Sequence, residues 1–217
     1  MALKNQMTRV GLNVTILLVV LASFFFHPIS AQAMGNADAE ALPSFSEFSN
    51  SVQDGRADLV RGVYVPNVLA LPVVQQPYGS AGYVSREGSK VTQFRMASKY
   101  GTVGLLAHNY LAGKSFYDLE AGDEVRLVYG DGKVETFVVT ELLRYQALQP
   151  NSVYSSFRDL DTDEVLSVEK MFKRVYFGDN QVTFQTCIEQ DGNLSWGRFF
   201  VIAIPKAEYE NLDQPDF

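Results

Sequence analysis

From Gly62 onward the chain is cut into short apolar runs that Pro and Gly keep from merging into helices. Val63-Tyr64-Val65 is closed by Pro66, and Leu69-Ala70-Leu71 reaches Val73-Val74 only across Pro72. Proline lacks a backbone donor and fixes φ, so such runs suit strand ends and edge positions rather than helix interiors. Val103 to His108, Glu124 to Tyr129, Val134 to Thr140, Val182 to Ile188 and Phe199 to Ile204 repeat the pattern. The second and third of these are joined by Gly130-Asp131-Gly132, whose Asp-Gly pair supplies the positive φ of a tight hairpin. Leu111 to Leu119 reads as a loop holding a helical turn. Residues 142–180 are less regular, with helical spacing only at Leu166, Met171, Phe172 and Val175. About eight short strands within roughly 150 residues, with little helix, predict an all-β barrel or sandwich.

Nothing covalent can hold that fold, because Cys187 is the single cysteine of the 217 residues. A disulfide within the chain is excluded, and the core must come from apolar burial, for which the length suffices in one domain. The first 33 residues carry Lys4 and Arg9 and no acid, leaving 16 bases against 25 acids, a net of −9. With no basic stripe in view, this balance disfavours nucleic acid and anionic lipid as main partners.

The N-terminus reads as an export signal. Lys4 and Arg9 precede an apolar run from Val14 to Phe26, followed by Pro28 and the small-residue site Ala31-Gln32-Ala33. The alternative is an uncleaved N-terminal membrane anchor. Val10 to Phe26, 17 residues including Asn13, is short for a span that needs about 20 apolar residues. Either way the body of the protein is placed outside the cytoplasm, secreted or attached to the outer face of the membrane. The division expected is a signal segment at 1–33, a flexible spacer at 34–60 with one short helical stretch near Phe45 to Val52, a domain at 61–208 and a tail at 209–217.

An exported, unpaired thiol is either buried as a small hydrophobe or used as a nucleophile. Along the strand holding it, Val182 and Phe184 face one way while Thr183, Gln185 and Cys187 face the other. From the strand alone both uses stay open. His27 lies in the export segment, so His108 is the one imidazole of the remaining chain. A solitary His at a strand end is usually a surface or hydrogen-bonded residue, and Arg198, 11 residues after Cys187, is by itself an ordinary exposed Arg. Yet one Cys plus one His is the minimum set for thiol catalysis, a partner for the thiolate and an acid for the leaving amine, and a cation such as Arg198 could stabilise an oxyanion. The order His–Cys–Arg also removes rivals. Papain-like enzymes place Cys before His, L,D-transpeptidases carry a Ser-His-Gly-Cys cluster, and caspases have Gly two residues after Cys.

At these residues the chain resembles the sortase family. Thr183-Phe184-Gln185-Thr186-Cys187 is similar to the sortase signature T-L-x-T-C, with Phe in place of Leu. Ala107-His108-Asn109, then Phe116-Tyr117-Asp118-Leu119 and Ala121-Gly122-Asp123-Glu124-Val125, resemble the sortase His segment and the stretch after it. Arg198 before an apolar strand matches the sortase arginine, and Leu71-Pro72-Val73 resembles an early sortase strand. The resemblance spans residues 62–206. It implies a sortase-type closed β-barrel of about eight strands with short helices in the connecting loops. It also implies a cysteine transpeptidase acting on exported proteins that carry a sorting motif. Cys187 would form a thioester, His108 would protonate the leaving amine, Arg198 would stabilise the oxyanion and Thr186 would line the substrate groove. An amine acceptor such as a cell-wall peptide or pilin lysine, or water, would resolve the thioester. Phe184 and an unusual loop, Ile188 to Gly197 with the sole Trp196, are departures from the family pattern. The alternatives are a binding or assembly module on the same barrel without turnover, and a peptidase that only hydrolyses.

No cofactor is implied. Asp159-Leu160-Asp161-Thr162-Asp163-Glu164 spaces acids like the start of a calcium loop, and some sortases bind Ca2+ in the corresponding loop. The sixth position lacks Gly and Lys170 stands where a bidentate Glu belongs, so a solvated acidic turn is the expectation.

Overall fold

The computed structural model describes residues 42–212. The export segment and residues 213–217 lie outside the described residues. Ten strands follow one another: β1 (Val60–Val65), β2 (Leu69–Gln75), β3 (Val91–Phe94), β4 (Thr102–Leu106), β5 (Glu124–Tyr129), β6 (Val134–Ala147), β7 (Phe157–Asp159), β8 (Val165–Leu166), β9 (Gln181–Gln190) and β10 (Asn193–Pro205). The α-helices are α1 (Phe45–Val52), α2 (Val168–Tyr176) and α3 (Lys206–Leu212), and 3-10 helices cover Ala97–Tyr100 and Ala112–Asp118. No helix among the described residues is long and apolar enough to cross a membrane.

Eight strands close on themselves. The hydrogen-bonded order β10-β9-β4-β3-β2-β1-β5-β6 returns to its start through a β10–β6 pairing, and β7 and β8 extend from β6. Closure satisfies the strand edges within the ring. Two ladders are parallel, β2–β3 and β4–β9, and the others are antiparallel. The expected all-β closed barrel with short helices in its connections is what the chain forms.

Strand alternation divides every strand between a filled interior and an exterior. Val63, Val65, Leu105, Leu127, Phe137, Val182, Phe184 and Val201 meet inside as one cluster. The residues between them point outward, where two helices cover part of the surface. Met171, Val175 and Tyr176 of α2 pack on Tyr145 and Phe200. Phe48 of α1 packs on Tyr64 and Val128, an approach that needs Gly62, where a Cβ would come within 2.8 Å of the Phe48 ring.

The described part of the stretch read as a flexible spacer is therefore docked on the barrel. A capping box between Ser44 and Glu47 starts α1, and Phe48 is 4% exposed. Residues 206–212, partly assigned to the tail, are helix α3.

Candidate active site

β9 runs between β4 and β10, and the two ladders decide what stands beside Cys187. In the antiparallel ladder Arg198 is the direct partner of Cys187, and Phe199 of Thr186. Direct partners share a face, with Cβ atoms about 4.5–5.5 Å apart. In the parallel ladder Thr102 to Leu106 register one by one against Gln181 to Gln185. The same offset persists past β4. Ala107 N–H donates to the Gln185 carbonyl at 3.2 Å, and Thr186 Oγ1 donates to the Ala107 carbonyl at 2.9 Å. His108 follows two residues past the end of β4, the strand beside β9. Cys187 and Arg198 are thus direct neighbours on the barrel exterior, and His108 begins the turn at the end of the next strand over.

The exterior face of β9 is not open along its whole length, although its residues are polar. Thr183 is fully buried and donates to the Val175 carbonyl at 2.7 Å, as does Gln181 Nε2 at 2.9 Å. Both bonds satisfy one carbonyl in the last turn of α2. The Tyr176 phenol bonds to Gln185 Oε1. The cover ends there, and Cys187 is half-buried and free.

Thr186 departs from its expected place. It is 2% exposed and lies on the opposite face of β9 from Cys187, inside the barrel end. It ties β9 to the residue before His108 instead of lining a groove. The expected loop Ile188 to Gly197 is also different. β9 and β10 continue into a hairpin whose turn residues Asp191 and Gly192 have φ of 53° and 76°, as a two-residue turn between twisted strands requires. Gln190 pairs with Asn193 and Ile188 with Gly197, so Leu194, Ser195 and Trp196 bulge opposite Glu189 alone. The bulge frees the carbonyls that hold Arg198: its Nη1 donates to Ser195 at 3.0 Å and Gly197 at 2.8 Å. Among the described residues, Nε and Nη2 of Arg198 have no partner.

The residues after His108 turn sharply. The His108 carbonyl accepts from Leu111 N–H at 2.9 Å and Gly113 N–H at 3.0 Å. Its ring stacks on Tyr110 at 5.2 Å between centroids. Asn109 Nδ2 donates to the Leu194 carbonyl at 3.1 Å, tying this turn to the hairpin bulge. A surface cavity of about 580 Å³ opens against His108, walled by residues 82–87 of the β2–β3 connection.

One neighbour of the site escaped the sequence reading. Tyr117, on the 3-10 helix Ala112–Asp118, donates its hydroxyl to the Cys187 carbonyl at 2.7 Å and stacks on Phe199 at 4.9 Å and 7°. Burial, and secondarily the charge of a Cys187 thiolate, pushes its phenol above the ordinary range. Only the motif around Phe116 and Leu119 signalled this stretch.

The acidic stretch at 159–164 closes the β7–β8 hairpin. Asp159 Oδ1 accepts from the N–H groups of Asp161 and Thr162 at 2.8 and 2.9 Å, and Asp161 pairs with Arg144 at 2.7 Å. Among the described residues no group of three or more His, Cys, Asp or Glu is placed to hold a metal ion.

The sequence matches no family model and no curated protein. Among solved structures the chain is similar to sortase A from Corynebacterium diphtheriae, at 13% identity over 69% of this chain and 61% of that one, TM-score 0.45. It is also similar to Listeria monocytogenes sortase A, at 16% identity over 74% of this chain and 100% of that one, TM-score 0.42. A third is Clostridium perfringens sortase C with the C-terminal cell wall sorting motif, at 16% identity over 74% and 82%, TM-score 0.45.

Proposed function

We propose that the protein is an extracytoplasmic, sortase-like cysteine transpeptidase. The observation that carries the reading is the direct pairing of Cys187 with Arg198 across β9–β10, with His108 just past the end of β4, the strand on the other side of β9. Thiol acyl transfer needs a nucleophile, a proton carrier and a cation near one carbonyl, and Cys187, His108 and Arg198 are residues of those types. Its position outside the cytoplasm rests on the N-terminal export pattern.

The Cys187 sulfur attacks a backbone carbonyl in the sorting motif of an exported protein. The oxyanion that forms is met by the Arg198 guanidinium, whose Nε and Nη2 are free while Nη1 is anchored. The C–N bond then breaks, the leaving amine takes its proton from His108, and the acyl group remains as a thioester. An acceptor amine reaching His108 through the adjoining cavity attacks the thioester and gives up a proton to the now neutral His108. A new amide forms and the thiolate leaves. A cell-wall peptide or a pilin lysine has the required amine. These steps need no metal or cofactor.

The reading is tested with a library of internally quenched sorting-motif peptides, with and without an added amine. Cleavage together with an amide-linked product is expected, and neither from Cys187→Ala. Cleavage without amide product would make the protein a hydrolase. No cleavage of any peptide, with Cys187→Ala identical to the native chain, would leave the barrel a binding module.

A further inference from the structure

The parallel ladder between β4 and β9 breaks off at the level of the thiol. Ala107 N–H bonds to the Gln185 carbonyl, and the next rung in such a ladder would run from Asn109 N–H to the Cys187 carbonyl. That rung is not made. The chain has already turned, with the His108 carbonyl capped by Leu111 and Gly113. The Cys187 carbonyl takes the Tyr117 hydroxyl instead, at 2.7 Å.

We infer that Tyr117 is the positioning residue of this site: its phenol replaces the missing rung and holds the thiol-bearing strand end where the neighbouring chain turns away at His108. The inference rests on the transpeptidase reading for what is positioned, but the bond itself does not. Two further observations fit it. The ring lies flat on Phe199, the residue after Arg198, so one side chain braces both the Cys and the Arg strands. Burial first, and the neighbouring Cys187 second, push the phenol above its ordinary range, so it stays a donor beyond about pH 10. Tyr117 is nonetheless 45% exposed, so it is not a core residue whose loss empties the barrel.

Tyr117→Phe removes the donor and keeps the ring on Phe199. Two readouts are taken. In single-turnover acylation with a cleavable peptide, the rate at saturation is expected to fall roughly tenfold, short of the ~10²-fold cost of ångström-scale misplacement. The half-saturating concentration stays unchanged. In hydrogen exchange of the full chain, amides at 187–190 are expected to exchange faster while the rest of the barrel keeps its protection. An unchanged saturated rate, or a loss confined to half-saturation, would overturn the inference, as would unchanged exchange at 187–190. If the native chain is never acylated but exchange at 187–190 still rises, the transpeptidase reading fails and the strand-holding role of Tyr117 stands.

Discussion

At the scale of single residues, scarcity made the site legible. One cysteine and one histidine outside the export segment are few enough to be weighed as a pair, and Arg198 joins them by its place 11 residues after Cys187. Arg198 is the sharpest to test, because its Nη1 is held by two carbonyls of its own hairpin. Arg198→Ala should lower the single-turnover acylation rate by roughly 10²–10³-fold, the cost of an oxyanion donor. Arg198→Lys should restore only part of it, since an ammonium keeps the charge but not the planar fork. A rate within about twofold of native for Arg198→Ala would remove the arginine from the chemistry. Thr186 and Tyr117 were not legible in the same way. Alternation alone puts Thr186 on the opposite face from Cys187, yet the family signature drew it toward the substrate. Tyr117 meets Cys187 across 70 positions of chain, a contact no local spacing announces.

At the scale of elements, the runs with clean apolar content were readable and those assembled by long-range pairing were not. β3 (Val91-Thr92-Gln93-Phe94) is half polar because its polar groups are used: Thr92 Oγ1 accepts from Ser85 N–H, and Gln93 Oε1 from Gln75 Nε2. β6 continues to Ala147, beyond the apolar run ending near Thr140, because β10 and β7 pair with it there. The hairpin of β9 and β10 looked like a loop because its three-residue bulge breaks the alternation. The turn after His108 can be tested through Gly113. A Cβ at Gly113 would collide with Thr186 Oγ1 and stand 2.7 Å from the His108 carbonyl oxygen. Gly113→Ala should cost about 1–3 kcal/mol by overpacking, roughly 2–12 °C in Tm, and should slow acylation as His108 is displaced. Native Tm and acylation rate in this variant would contradict the close packing of the turn.

At the scale of the molecule, stability should be lost at both ends of the pH range. Lys206 first, then Arg126, holds the Glu124 carboxyl below its ordinary range although its burial opposes this. The N–H groups of Asp161 and Thr162 outweigh burial to do the same for Asp159. Depressed carboxyls give stability that is present above about pH 4 and lost as pH falls through their folded values. Tyr129, Tyr145 and Tyr176 are pushed up chiefly by burial. Raised phenols give stability that is complete below about pH 10 and lost as pH rises through their folded values. Thermal unfolding followed across pH should therefore show a plateau that falls on both sides, and a Tm that holds to pH ~12 would contradict the buried phenols. The strand-rich class was legible from the Pro-punctuated runs, which left barrel or sandwich open, and the closed barrel was implied only by the resemblance of the site motifs. Its ring order was not, because closure depends on the β10–β6 pairing and on two parallel crossovers. The transpeptidase reading comes down to one bond, a thioester on Cys187. Intact-mass analysis followed by peptide mapping, after exposure to sorting-motif peptides without an amine, should find an acyl group on Cys187 that hydroxylamine removes. An acyl group on another residue, or none with any peptide that the native chain cleaves, would contradict it.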